Sequence, residues 1–228
     1  MKKETIVISL GGSLIIPDNV NYSYLKKFKQ TIKSIKNKKF VIVTGGGSLA
    51  RKYISALSQE TKDHKTQSLA GISATRTNAR FVSYFFGQDQ GKGIPHKIEQ
   101  VKSLIKKQNI VFCGGLEYKP QQTSDGTAAQ IAAKLKAKFI NITNVSGLYT
   151  DNPKTNKNAK FIPTSTWKNF HKRAASIKYK PGQHFVLDQN ASSIIMKNKV
   201  PTYIIGENTD NLKNLILGKK FKGTTIEG

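Results

Sequence analysis

A chain of 228 residues, 37% of them hydrophobic, can bury one substantial core or two tightly joined lobes. No apolar run approaches the ~20 residues of a membrane helix, and residues 1–20 lack a secretory core and cleavage site. The expected location is therefore the cytosol, and Cys113, the single cysteine, excludes an internal disulfide and argues against a cysteine-built zinc centre. The formal charge of +25, from 38 basic and 13 acidic side chains, poses the question of nucleic-acid binding. Much of it is lysine dispersed through expected helices, as at Lys26, Lys27 and Lys29 or Lys102, Lys106 and Lys107. Without aromatic interleaving or a nucleic-acid-binding motif, this charge reads mainly as solvated helix faces that also concentrate anionic substrates.

In chain order, residues 5–10 form a short apolar run ending at Gly11, Gly12 and Ser13, a buried strand followed by a permissive turn. A helix is expected over residues 22–36. Residues 40–43 repeat the pattern and meet Thr44, Gly45, Gly46, Gly47 and Ser48, after which Leu49, Tyr53 and Leu57 recur at helical spacing. Residues 68–86 read as a long helix and 95–107 as another. Residues 110–113 read as a strand ending in Gly114 and Gly115, with Cys113 a buried strand thiol rather than a nucleophile. An alanine-rich helix over 128–135 is led in by a cap at Asp125, and residues 139–143 make a further strand. Residues 151–158 are polar and turn-rich, and 162–173 carry a strand end and a short helix. Asp188, after Phe185, Val186 and Leu187, is placed to cap a helix over 190–198. Residues 200–205, 210–217 and 224–226 resume strand, helix and strand. His171 and His184 have no metal-ligand partners at suggestive spacing and are assigned to the surface. The alternation predicts an α/β protein with a mostly parallel sheet covered on both faces, and ligands gathered at the carboxyl ends of its strands, where the glycine turns lie.

The run Thr123, Ser124, Asp125, Gly126, Thr127 lies downstream of two glycine turns and ahead of Thr143, Gly147 and Tyr149. Each piece puts small residues or hydroxyls where a strand hands over to a helix, which is where backbone N–H groups and the helix dipole hold an anion. One such turn is a weak signal; four in order read as one phosphate-handling site. Arg51, one helical turn beyond Gly47, offers a planar fork suited to phosphate oxygens and is favoured for that role over a surface ion pair.

The ordered set Gly11-Gly12-Ser13, Thr44-Gly45-Gly46-Gly47 with Ala50-Arg51, Gly71-Ile72, Thr75-Arg76, Asn78-Ala79, Gly114-Gly115, Thr123 to Ala129, Thr143 to Tyr149, Asp188 and Gly223-Thr224-Thr225-Ile226-Glu227 resembles the amino acid kinase family, and within it the archaeal-type uridylate kinases. The similarity spans essentially the whole chain. It implies a three-layer αβα sandwich and a single domain over 1–228, with an acceptor-nucleotide lobe at 1–137 and an ATP lobe at 138–228. It further implies a cytoplasmic homohexamer that transfers the γ-phosphate of ATP to UMP with Mg²⁺, in pyrimidine nucleotide biosynthesis. By resemblance, Gly12, Ser13, Gly47, Arg51, Thr143, Tyr149 and Asn152 border ATP. Gly46, Ser68, Leu116, Gln122, Thr123 and Ser124 border UMP under a closing loop that is here about two residues longer and holds Glu117 and Lys119. Asp188 and Arg51 serve the transferring phosphoryl group; no residue is assigned to a metal.

Several positions depart from the family pattern. Ser9 stands where several relatives carry a phosphate-binding lysine, Ser68 where an acidic ribose ligand is common, and Ser146 and Asn152 where Asp is usual. Asn and Ser keep hydrogen-bonding capacity there without the charge. An isopentenyl phosphate kinase of the same fold would carry a histidine shortly after the second glycine turn, and the stretch from Gly47 to Arg51 has none. The alternative from another class is a kinase-like fold that senses nucleotides or binds nucleic acid with weak or no catalysis.

Overall fold

Alternation of side chains along β1 (Glu4–Leu10) sends Val7 to one face of the central sheet and Ile6, Ile8 and Leu10 to the other. The pattern recurs in β2 (Lys38–Thr44), β3 (Ile110–Cys113) and β4 (Lys138–Ile142): Val41, Val111 and Phe139 join Val7, while Phe40, Ile42, Phe112 and Ile140 join Ile8. Both faces therefore bury apolar side chains, the condition under which a parallel sheet is stable. The computed structural model describes residues 3–88, 91, 93–120, 122–176 and 187–228.

Two short antiparallel strands, β5 (Leu148–Tyr149) and β6 (Phe161–Ile162), form a separate ribbon. The main sheet is completed by β7 (Thr164–Ser165), β8 (Thr202–Ile205) and β9 (Gly223–Ile226), in the order β3-β2-β1-β4-β8-β9-β7. All neighbours run parallel except β8 and β9, and the register places Ile8 between Ile42 and Ile140. One face is covered by α5 (Ile98–Lys107), α6 (Ser124–Leu135), α7 (Trp167–Ala175) and α8 (Gln189–Asn198). The other is covered by α1 (Gly12–Ile15), α2 (Tyr22–Ser34), α4 (His64–Phe85) and α9 (Thr209–Ile216), with α3 (Gly47–Glu60) packed on α4. On that side Phe86 meets Phe112 edge-on at 4.9 Å and Phe28 at 6.0 Å. The ribbon is fastened by Thr224 of β9, whose hydroxyl accepts the Leu148 N–H at 2.7 Å and donates to the Ile162 carbonyl at 2.6 Å. No helix among the described residues is long and apolar enough to cross a membrane.

The expected three-layer α/β architecture holds, with local corrections. Asp63 caps α4 by accepting the Lys65 and Thr66 N–H groups, so that helix starts before the expected residue 68. The α5 helix begins only at Ile98, where Gln100 accepts the Lys97 N–H. Leu49, Tyr53 and Leu57 do lie on one helix, but they are not a core stripe: Tyr53 is 46% exposed, and Ser48 is the buried residue of α3. Cys113 is fully buried, and desolvation pushes its thiol up to about 12, as expected of an inert strand thiol. His184, Phe185 and Val186 lie outside the described residues.

Candidate active site

The turns after β1 and β2 meet backbone to backbone. A Cβ on Gly12 would stand 2.0 Å from the Gly47 nitrogen, and one on Gly45 would stand 2.5 Å from the Gly12 nitrogen, so neither position admits a side chain. The Gly45 N–H donates to the Leu10 carbonyl at 2.9 Å and the Gly11 N–H to the Ile142 carbonyl at 3.2 Å, which ties both turns to the carboxyl ends of β1 and β4. Gly47 opens α3 at φ +60°, a conformation glycine adopts without penalty. The result is a side-chain-free floor at the rim where α3 begins.

Residues of α4 hold this floor in place. Asn78 donates from Nδ2 to the Gly45 and Gly46 carbonyls at 2.8 and 3.1 Å, and the Thr44 hydroxyl donates to the Thr75 carbonyl at 2.8 Å. The Thr75 hydroxyl accepts the Gly115 N–H at 2.7 Å. Arg76 donates from Nε to the Gly115 carbonyl at 2.9 Å and from Nη2 to the Leu116 carbonyl. Its guanidinium therefore serves the chain's own backbone, and burial lowers its pKa. These bonds fix the start of the segment that leads from β3 toward α6.

Three elements converge on two carboxyl groups. From β1, the Ser9 hydroxyl donates to Asp125 Oδ1 at 2.6 Å. The cap of α6 is Thr123, not Asp125 as expected: Thr123 Oγ1 accepts the Asp125 N–H at 3.1 Å and donates to Asp188. Asp188 in turn caps α8, accepting the Ala191 N–H at 2.6 Å, in agreement with its expected capping role. Desolvation is the main cause that raises Asp125 to about 7, opposed by the Ser9 hydrogen bond and reinforced by the charge of Asp188. Asp188 is also raised, first by desolvation, against the hydrogen bonds from Thr123 and Ala191. The amino ends of α6 and α8 thus meet at the end of β1.

The remaining candidates are placed less closely. Gln122 donates from Nε2 to the Thr127 hydroxyl at 3.1 Å and leaves its buried Oε1 without a partner, while Ser124 opens α6. The Leu116 side chain belongs to the core, so only its backbone, already engaged by Arg76, lies toward the segment. Ser68 donates to the His64 carbonyl within α4 at 2.7 Å. Arg51 is exposed, with Nη2 donating to the Pro17 carbonyl at 3.4 Å rather than to a carboxylate. Ser13 is half-buried in α1. The Thr143 N–H donates to the Ile205 carbonyl at 3.0 Å, and the Tyr149 ring meets Phe161 edge-on at 5.4 Å. Asn152 heads an exposed turn by accepting the Lys154 N–H at 3.0 Å. His171 is half-buried rather than a surface residue, with Nδ1 3.0 Å from the Ser192 hydroxyl.

The amino acid kinase family model matches residues 4–206 of this fold. The chain belongs to the amino acid kinase family. It is similar to the uridylate kinase of Thermoplasma volcanium, 34% identical over 98% of this chain and 98% of that protein. The crystal structure of uridylate kinase from Archaeoglobus fulgidus superposes with a TM-score of 0.83 at 31% identity, covering 97% of this chain and 99% of that one. A UMP kinase from Bacillus anthracis shares the fold at a TM-score of 0.80 and 19% identity.

In this amino acid kinase, sequence reasoning located the turns but missed what braces them. The Ser9–Asp125 bond joins residues 116 positions apart, and the Arg76 grip on Leu116 spans 40. The signal available for Asn78, Thr75 and Arg76 was polar side chains on a helix whose neighbours Ala74, Ala79 and Val82 are core, since buried polar groups require partners.

Proposed function

We propose that this chain is a cytoplasmic uridylate kinase: an oxygen of the UMP phosphate attacks the γ-phosphorus of ATP, the bond to the ADP oxygen breaks, and UDP and ADP leave. The observation that carries the transfer chemistry is the Gly12–Gly47 backbone joint, flanked by Thr123 and Asp188 at two helix amino ends. Phosphoryl transfer demands positioning of two anions and neutralisation of their charge rather than a protein nucleophile, and a floor of bare backbone beside helix dipoles supplies that. The choice of UMP as acceptor rests on the full-length likeness to uridylate kinases.

In this reading Gly12, Ser13 and Gly47 face the ATP phosphates, with Thr143, Tyr149 and Asn152 around its nucleoside. Gly46, Ser68, Gln122, Thr123, Ser124 and the backbone at Leu116 border UMP, and Arg51 swings from the Pro17 carbonyl to a phosphate oxygen. Among the described residues no cluster of three or more metal-binding side chains exists. In this reading Mg²⁺ is brought in by ATP and held mainly by its phosphates. Asp125 and Asp188, whose carboxyls are both raised by desolvation, are the residues that would face the ion, which supplies charge neutralisation when bound. The 1–137 and 138–228 lobes and a homohexamer complete the proposal.

A coupled assay of ADP release comparing UMP with CMP, dUMP and isopentenyl phosphate tests it. A strong preference for UMP is expected, and equal turnover of any other acceptor overturns the assignment.

A further inference from the structure

The parallel topology collects lysine at the rim opposite the nucleotide turns. Strands β1 to β4 and β8 are all entered from that rim, and every entry carries exposed lysine: Lys3 at β1, Lys36 ahead of β2, Lys106 and Lys107 ahead of β3, Lys136 ahead of β4 and Lys199 ahead of β8. Because these strands are neighbours in the order β3-β2-β1-β4-β8, at about 4.8 Å spacing, the entries that carry the lysines adjoin one another in a row across the molecule. Among the described residues two carboxylates share the rim. Glu4 is divided between Lys38 at 2.5 Å and Lys138 at 3.1 Å, and Glu227 follows β9, so the row stays strongly positive.

Helix dipoles alone do not account for this row. The last turns of α6 and α8 already contain Lys134 and Lys197, and Lys3 and Lys138 stand at strand starts. Lys136 and Lys199 cap those two helices in the left-handed region, at φ 50° and 49°, and are the only non-glycine residues with positive φ among the described residues. Glycine would sit there without strain, so the charge is what lysine adds at these positions.

We infer that this rim binds the phosphate backbone of nucleic acid without sequence preference. A row of cations matches a line of phosphates. Among the described residues the exposed large hydrophobic side chains all lie outside these strand entries, which leaves no wedge for a membrane interface. The rim faces away from the glycine turns, so occupancy is compatible with catalysis.

The test is fluorescence anisotropy of a labelled short duplex of arbitrary sequence across a KCl series, with the wild type and the double variant Lys136→Gly, Lys199→Gly. The variant relieves two strained φ angles while removing two charges from the row. Its log affinity against log salt is expected to be shallower by about 2, with a melting midpoint equal to or above wild type and unchanged kinase activity. An unchanged slope and affinity overturns the inference, as does a lowered midpoint with unaltered binding, which would make these lysines dipole caps. The pair Lys26→Gln, Lys33→Gln on α2 removes the same charge from another surface and is expected to leave most of the affinity intact; an equal loss there refutes the location. Tighter binding to phosphatidylserine vesicles than to the duplex refutes the partner.

Discussion

Asp125 has its carboxyl against Ser9 and within the field of Asp188. An unfolded carboxyl titrates near its ordinary 3.8, whereas in the fold desolvation raises Asp125 to about 7, so between those values the folded chain holds a proton that the unfolded chain has released. This contribution to stability is complete below pH 3.8 and is lost as pH rises to about 7. Asp125→Asn removes the loss and keeps an acceptor for Ser9. Its melting midpoint is therefore expected to exceed wild type at pH 8 and to match it near pH 4, and an equal offset at both values would refute the assignment. Arg51 makes the contrasting case. It is exposed and bonded only weakly to Pro17, so Arg51→Ala is expected to leave the melting midpoint unchanged. Transfer from ATP to UMP is expected to fall at least tenfold, since a charge-assisted phosphate contact contributes ~1.5–3 kcal/mol. A normal rate would leave Arg51 as a surface group.

At the scale of elements, the joint between the turns after β1 and β2 is the most constrained contact. Gly12→Ala drives a methyl into the Gly47 backbone, which cannot rotate away as a side chain would, and is expected to cost at least about 3 kcal/mol in urea unfolding. Gly115→Ala meets only side-chain atoms, Ile72 at 3.2 Å and the Thr75 hydroxyl at 3.3 Å, and is expected to cost about 1 kcal/mol. Similar losses for the two would show that the joint is not rigid. Elements such as β1, β2 and α6 were legible in the sequence because apolar runs, glycine turns and alanine content are local signals. The cap at Thr123 was not, because Asp125 is an equally good capping residue and only the pull of Ser9 turns it away from that role. Likewise α3 shows helical spacing but buries Ser48, since its apolar residues face α4 and the surface rather than the sheet. The antiparallel β8–β9 pair and the β5–β6 ribbon are long-range pairings with no mark on the sequence around them.

For the whole molecule, +25 spread over 228 residues is the dominating fact. Among the described residues the ion pairs engage Glu4 and Glu99 alone, so most lysines repel one another unrelieved. Raising KCl from low to physiological strength is therefore expected to raise the melting midpoint, because a Debye length of about 8 Å screens that repulsion. A falling midpoint would mean that local pairs outweigh it. The charge total was plain in the sequence, but its gathering along one rim was not, because that depends on which ends of the strands the helices return to.

The Thr224 clasp sets an order of events during synthesis. Leu148 leaves the ribosome 76 residues before the hydroxyl that secures it, so the ribbon bearing Tyr149 stays loose while the glycine turns near the start of the chain are already pinned to their strands. A nascent chain arrested before residue 224 thus leaves the Leu148–Ile162 pair without its fastening, while the bond from Gly45 to Leu10 is already available.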